Sequence, residues 1–498
     1  MSAYQELEST FRRIRRIEEV SGILGWDMQA MMPSGGAEGR AAQMAELSLI
    51  SHEIMTNPTL GAKLNAAADE VAHDETLSAS VREMRRRHLH ANAADARLVE
   101  EMTTVGIECT MEWREARKDN DFKRLEPKLA KMFALVRELG DATGAILGTS
   151  SYDALIDRFE PGMRAERIET LFAPLRKELP ELINEVIETQ KSWGELEFPQ
   201  GPFPPEKQRE IGMQFMTALG FDFNHGRLDT SHHPFCGGVP EDVRITTRYD
   251  EKDFTSALMG VLHETGHALY ERQLPSDWAN IPMGEARGMG IHESQSLFVE
   301  MQICRSAAFV DWVAPQLTKH FGGSGPAWNP ENLQKIYRKV NRGLIRVDAD
   351  EVTYPCHIIL RFELEQALIS GDLQVADLPD AWNTKMEKFL GVQPDTDAMG
   401  CMQDIHWMDG AVGYFPSYSL GALFAAQLYD AAETDIGGLD AQFRQGEFTP
   451  IMKWLGEKIH SQASRWETDD LIQRATGAPL SAEPFLKHVR TRYLEGQR

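Results

Sequence analysis

Along most of the chain, apolar positions recur every three or four residues, the period of a helix that buries one stripe. An amphipathic helix is predicted over residues 2–24, ending before Gly25-Trp26-Asp27. The turn Pro33-Ser34-Gly35-Gly36 then opens another helix. Long charged helices are predicted over 76–118 and 121–148. The run Arg82-Glu83-Met84-Arg85-Arg86-Arg87 in the first reads as a solvated face. A further helix over 164–193 stops at Phe198-Pro199-Gln200-Gly201-Pro202-Phe203-Pro204-Pro205, the strongest linker-like segment. Only residues 221–249 hold alternating runs that read as strands. In Asp242-Val243-Arg244-Ile245-Thr246 the polar residues share one face and Val243 and Ile245 the other. That polar face could flank a strand edge to which a peptide adds, or equally face solvent. The neighbouring His232-His233-Pro234 is a poor shared metal site, because adjacent strand residues point to opposite sides. No internal repeat or low-complexity tract occurs.

Inside the helical pattern lies Val261-Leu262-His263-Glu264-Thr265-Gly266-His267-Ala268-Leu269. On a helix His263 and His267 stand one turn apart on one face, so two imidazoles can meet one metal ion. Glu264 lies one step round, within reach of a water held there. This is the H-E-x-x-H arrangement of zinc peptidases. A surface pair of histidines beside a solvated glutamate would also give the string, but less readily in so apolar a setting.

Composition changes the picture only slightly. The 498 residues are 42% hydrophobic and 26% charged, as in an ordinary globular protein. A net charge of −24 argues against a nucleic-acid partner. Five scattered cysteines without C-x-x-C argue against a disulfide framework. No apolar stretch is long enough for a bilayer span, and the N-terminus lacks the apolar run of a signal peptide, so a cytoplasmic location is expected.

Two histidines leave a zinc site short of one protein ligand. Ala268-Leu269-Tyr270-Glu271-Arg272-Gln273 lacks the glycine and histidine of the extended metzincin pattern. The next source is Gly290-Ile291-His292-Glu293-Ser294-Gln295-Ser296. Glu293 follows 26 positions after His267, enough for a loop and a returning antiparallel helix, with His292 and Glu285 as competitors. Downstream, Lys335, Arg338, Lys339, Arg342 and Arg346 recur as a cationic helical stripe opposite Ile336, Val340 and Leu344. Such a stripe is usually solvated, but in an acidic protein it can attract a carboxylate. Gly400-Cys401-Met402-Gln403-Asp404-Ile405-His406-Trp407, then Gly413-Tyr414-Phe415-Pro416-Ser417-Tyr418, offers a histidine and two phenols able to donate to a developing oxyanion.

As a set, these residues resemble the carboxypeptidase Taq type of metallocarboxypeptidase. The resemblance rests on His263-Glu264-Thr265-Gly266-His267, His292-Glu293-Ser294-Gln295, Asp242-Val243-Arg244-Ile245-Thr246, Ile345-Arg346-Val347-Asp348-Ala349-Asp350 and Gly400–Trp407, in the family's order. Leu24-Gly25-Trp26-Asp27 and Met32-Pro33 extend it towards the N-terminus, whereas the first 200 residues match only loosely. It implies one mainly helical peptidase unit over 1–498, like neurolysin and angiotensin-converting enzyme, with a deep groove and a small sheet beside the active-site helix. Residues 1–200 would form a helical part with lid or dimer contacts, and 201–498 the metal- and substrate-binding part. It also implies a homodimer that removes single residues from peptide C-termini, using Zn2+, with Co2+ or Mn2+ able to substitute. Metal ligands would be His263, His267 and Glu293, and Glu264 the base. His406, Tyr414 or Tyr418 would stabilise the oxyanion. Arg346, possibly with Arg244 beside Asp242, would hold the terminal carboxylate. The rival readings are a zinc oligopeptidase of the same fold, against which the Arg346 motif speaks, and a non-catalytic peptide-binding protein, against which Glu264 speaks.

Overall fold

The computed structural model describes residues 1–496, and it is mainly helical with one small sheet. Helices α1 (Ala3–Ala30), α2 (Ala37–Met55), α3 (Leu60–Glu70) and α4 (Glu75–Ala91) come first. They pack on a core of their own, built from Leu7, Phe11, Ile14, Leu64 and Met84 and joined from the rest of the chain by Ile281 and Met283. All that follows shares one large second core. It begins with α5 (Ala96–Asp119), α6 (Phe122–Leu147), α7 (Ser151–Asp157), α8 (Ala165–Gln190) and α9 (Pro205–Ala218).

Three expectations about this first part need correction. Helix α1 runs through Gly25-Trp26-Asp27 instead of stopping before it. Tertiary contacts hold that segment in the helix: Arg244 stacks on Trp26 at 4.3 Å, and Arg40 pairs with Asp27 at 2.7 Å. The helix predicted over 76–118 is two, because Asp95 caps α5 by accepting the Leu98 N–H at 2.7 Å. The arginine run on α4 is not a solvated face. Arg86 reaches Asp157 at 3.5 Å, Arg87 reaches Glu285 at 3.1 Å, and Arg82 reaches Glu467 at 3.0 Å, so the run ties the N-terminal helices to the body.

The segment before α9 does not separate two cores. Its Phe203 is buried against Phe254 and Phe321, with ring centroids 5.0 and 5.2 Å away. The sheet comprises β1 (Gly226–Thr230), β2 (Phe235–Val239) and β3 (Asp242–Thr247) in the order β1-β3-β2. Strand β3 is parallel to β1 and antiparallel to β2, with Ile245 opposite Leu228 and Cys236. Both edges of Asp242–Thr247 are therefore taken, and the outer edges of the sheet belong to β1 and β2. The alternation read for β3 holds, with Val243 and Ile245 buried. Its polar face is only partly solvated and does not line the groove: Arg244 pairs with a half-exposed Asp242 under Trp26, and Thr246 is buried.

Helices α10 (Phe254–Arg272) and α11 (Met289–Leu297) form the centre. Around and after them come α12 (Ala307–Phe321), α13 (Pro330–Tyr337), α14 (Tyr354–Ser370), α15 (Leu378–Leu390) and α16 (Pro416–Ile436). The chain closes with α17 (Leu439–Phe443), α18 (Thr449–Lys458), α19 (Thr468–Thr476) and α20 (Glu483–Tyr493). The continuous cationic stripe does not form, since α13 ends at Tyr337 and Arg346 sits in a separate short turn. Arg338 is buried, donates to the Arg492 carbonyl at 3.3 Å and lies over Trp193. The five cysteines are free. No helix among the described residues is long and apolar enough to cross a membrane.

Candidate active site

Helix α10 starts at Asp253, whose carboxylate caps it by accepting the Thr255 N–H at 2.8 Å. Apolar residues bury most of the helix, which fixes the rotation of the H-E-x-x-H turn. Glycines let the neighbouring helices approach it. A Cβ on Gly266 would sit 2.6 Å from Ser296 Cα, and one on Gly421 of α16 would sit 2.8 Å from Glu293 Cγ. The glycine within His263-Glu264-Thr265-Gly266-His267 is thus the point where α11 lies on α10.

This packing brings one donor atom from each of His263, His267 and Glu293 within 4.8 Å of one another. His267 Nε2 lies 3.4 Å from Glu293. His263 donates from Nδ1 to Glu300 at 2.9 Å, which turns Nε2 towards the shared centre. Arg305 in turn holds Glu300 at 2.7 Å. Glu300 stands on the π-helical continuation of α11, Phe298–Cys304, a wide turn of the kind found at functional sites. Neither competitor for the third ligand joins them. His292 bonds Glu271 at 2.8 Å, and Glu285 pairs with Arg87 and Arg15.

The electrostatics favour a cation. Burial works against charge on His263, but the bond to Glu300 and the charges of Glu293 and Glu264 outweigh it and raise its pKa to about 10. Burial lowers His267 to about 4, which keeps it neutral. Burial opposes ionisation of Glu293, yet His267 and His263 hold it down at about 2. A neutral imidazole and an ionised carboxylate are the ligand forms of those groups. Glu264 is buried and pushed up to about 7, chiefly by desolvation, so it can exchange a proton near neutrality. A two-histidine, one-carboxylate set suits a divalent metal with an open position.

Two cavities meet at this cluster, and Glu264, Glu293 and Tyr418 border both. The smaller, about 430 Å³, is lined by Arg346, Tyr354, Leu297, Met301 and Ala422 among others. Arg346 is buried and uses Nε and Nη2 towards Asp404 Oδ1, at 3.0 and 2.8 Å. Its Nη1 donates to the Tyr354 hydroxyl at 2.9 Å. A guanidinium carries five N–H groups, so one remains on each terminal nitrogen. Asp404 also binds Arg361 at 2.6 Å, and Gln403 accepts from the Arg346 backbone and from Arg361, both at 2.8 Å. Two guanidinium groups therefore share one carboxylate, and the cluster keeps one positive charge. His357 and His406 beside it are held neutral, at about 3 and about 4, by burial first and then by the two arginines.

The remaining sequence-predicted residues separate. Tyr418 borders both cavities, and its hydroxyl lies 3.2 Å from His406 Nε2. Tyr414 borders only the larger cavity, its ring 5.2 Å from that of Tyr418. Arg244 and Asp242 border neither. Sequence reasoning missed Glu300, seven positions beyond Glu293 on the same helical run, and missed Gln403 and Asp404 although they stand beside His406. It also missed Glu160, a buried carboxylate from after α7 that accepts the Gly290 N–H at the start of α11. Burial pushes Glu160 up to about 7. No local pattern marks it.

Residues 6–493 match the family described as carboxypeptidase Taq (M32) metallopeptidase. The chain is 38% identical to thermostable carboxypeptidase 1 of Thermus thermophilus, over 99% of this chain and 98% of that one. It is 35% identical to carboxypeptidase 1 of Bacillus subtilis, over 98% and 97% of the two chains. Among solved structures, Trypanosoma cruzi metallocarboxypeptidase 1 superposes with a TM-score of 0.97 at 41% identity, covering 99% of both chains. Pyrococcus furiosus carboxypeptidase superposes with a TM-score of 0.93 at 34% identity, again covering 99% of both. The mainly helical fold with its small sheet is the fold of these metallocarboxypeptidases, and the chain belongs to the carboxypeptidase Taq (M32) metallopeptidase family.

Proposed function

We propose that this enzyme removes single residues from the free C-termini of peptides, with broad acceptance of the last side chain. One observation carries the exopeptidase part: beside the ligand cluster, Arg346 keeps one N–H free on each terminal nitrogen in a cluster with one unmatched positive charge. A peptide's terminal carboxylate is the natural counter-ion, held through two hydrogen bonds. Arg244, paired with Asp242 under Trp26, has no comparable support.

His263, His267 and Glu293 would hold the metal, and Zn2+ suits their nitrogen and oxygen donors, with Co2+ or Mn2+ as alternatives. When bound, it supplies Lewis-acid polarisation of the attacking water and the scissile carbonyl. Glu264 takes the water's proton and passes it to the leaving amine. The Tyr418 hydroxyl, reaching both cavities, donates to the developing oxyanion. His406 stands behind it and orients that hydroxyl, while Tyr414 lines the side holding the rest of the peptide. Glu300 fixes the tautomer and the ring of His263. The homodimer implied by the family resemblance is checked by light scattering. The activity is checked by incubating metal-loaded protein with a free-ended peptide and its C-terminal amide and weighing the products: loss of single residues from the free acid alone supports the reading, and internal cuts refute it.

A further inference from the structure

The larger cavity, about 810 Å³, carries four arginines in its wall: Arg15, Arg86, Arg87 and Arg158. Three are neutralised. Arg15 pairs with Glu19 at 3.1 Å, Arg86 with Asp157 at 3.5 Å, and Arg87 with Glu18 and Glu285 at 3.1 Å each. Arg158 differs. Among the described residues its guanidinium forms no ion pair, and it lies over the Phe159 ring, 5.3 Å from the centroid. Surrounding protein works against its charge, and Asp409 alone offsets this from beyond ion-pair distance. It is nonetheless solvent-accessible within the groove wall.

Its distance from the reaction follows from a chain of rings. From Arg158 the path steps 5.3 Å to Phe159, 5.0 Å on to Tyr414 and 5.2 Å on to Tyr418, which borders the ligand cluster. Extended peptide advances about 3.3–3.6 Å per residue, so even fully straight this path spans no more than about four to five residues. It lies on the side away from Arg346, where the part of the substrate N-terminal to the scissile bond must run if Arg346 holds the C-terminus.

Resting on the carboxypeptidase reading above, we infer that Arg158 is a subsite cation that recognises an acidic side chain two to four residues upstream of the scissile bond. An unpaired guanidinium backed by the Phe159 ring is suited to a carboxylate, with Phe159 and Tyr414 offering flat surface for the peptide chain. The preference is modest, because the ion pair forms in contact with water.

The test is a set of free-ended peptides with Glu, Gln or Lys placed singly at each of those three positions. The readout is the Glu-to-Gln ratio of kcat/KM, whatever the overall rate. Wild type should favour Glu by roughly two- to fivefold at one position, and the ratio should shrink in high salt. In Arg158→Gln that ratio should fall to about one, and Arg158→Glu should turn the preference towards Lys. Equal rates for Glu and Gln peptides at all three positions in wild type, or an unchanged ratio in Arg158→Gln, overturn the inference. If wild type cuts none of these peptides, the carboxypeptidase reading is what fails. Calorimetric titration of the same peptides then still decides on Arg158: tighter Glu binding that disappears in Arg158→Gln supports it, and equal binding refutes it.

Discussion

The two cavities flanking the ligand cluster are built from different materials. On the smaller side, Arg346, Arg361 and Gln403 are buried and form with Asp404 a hydrogen-bonded set beside the large core, with one positive charge unmatched. On the larger side, Arg15 of α1 and Glu83, Arg86 and Arg87 of α4 join the wall from helices that have their own core and meet the body through ion pairs such as Arg87–Glu285. Most of the arginines there are already neutralised. On the proposed carboxypeptidase reading, the difference teaches that one end of the groove would fix a terminus and the other would accommodate the rest of the chain. A symmetric groove with the same Glu264 and ligands would suit internal cleavage as well.

The largest effect should come where the two sides meet. Glu264→Gln keeps all three ligand side chains and should lose about 10²- to 10⁴-fold in turnover while still taking up metal. If the variant stayed active with the metal bound, the base would have to be found on one side or the other. Next, Glu293→Ala should weaken metal retention severely and His292→Ala much less, measured by metal content after dialysis. The reverse order would move the third ligand out of the centre and towards the larger cavity. Glu300→Gln touches only the smaller side and should cost about 10- to 100-fold in metal affinity, since a neutral amide supports the His263 imidazole less well.

The smallest effect concerns acid stability, and it treats the two sides alike. Glu351 borders the smaller cavity, and Asp157 underlies the larger. Burial opposes ionisation in both, yet His488 and Arg492 hold Glu351 at about 2, and His90 and Arg86 hold Asp157 at about 2. A depressed carboxylate stabilises the fold fully above its unfolded pKa of roughly 4 and loses that contribution as pH falls towards 2. Glu351→Gln should therefore lower Tm at pH 7 and flatten its fall between about pH 4.5 and 2. Glu365, raised to about 7 by burial, has the opposite sign: its contribution is full below about 4.5 and is lost as pH rises through 7. Glu365→Gln should flatten that loss between about pH 4.5 and 7, read as Tm against wild type across that range.

How much of this was legible in the sequence depends on how local each signal is. His263, Glu264 and His267 share one helical turn, so spacing alone put them together. Glu293, in the middle of the next helix, competed with His292 and Glu285 until the family motif favoured it, and it is the packing that brings its carboxylate to the two histidines. The helical class and the 242–247 strand were legible from spacing as well. The extent of α1 was not, because the contacts holding Trp26 and Asp27 come from Arg244 and Arg40. Arg346 was visible as part of a motif, but the stripe placed around it was not real. A period of three or four continues past Tyr337 in sequence, yet the backbone leaves the helix there, and Arg338 turns inward to the Arg492 carbonyl. The arginine run of α4 misled similarly, since its partners Asp157, Glu285 and Glu467 lie far along the chain. Arg158 carries no motif, and only the fold shows that it lacks the carboxylate its neighbours have.

The measurement that bears most directly on the asymmetry compares Arg346→Ala with wild type on matched free-acid and amidated peptides. A charge-assisted bond contributes about 1.5–3 kcal/mol, so kcat/KM on the free acid should fall at least about tenfold to a hundredfold. Wild type should already cleave the amide poorly, and the substitution should change that little. Arg338 is buried and is no neutral control; exposed Arg342→Ala should alter both rates only slightly. Equal slowing of acid and amide by Arg346→Ala would contradict the account, because the arginine would then support the fold and the preference for chain ends would have to be set elsewhere.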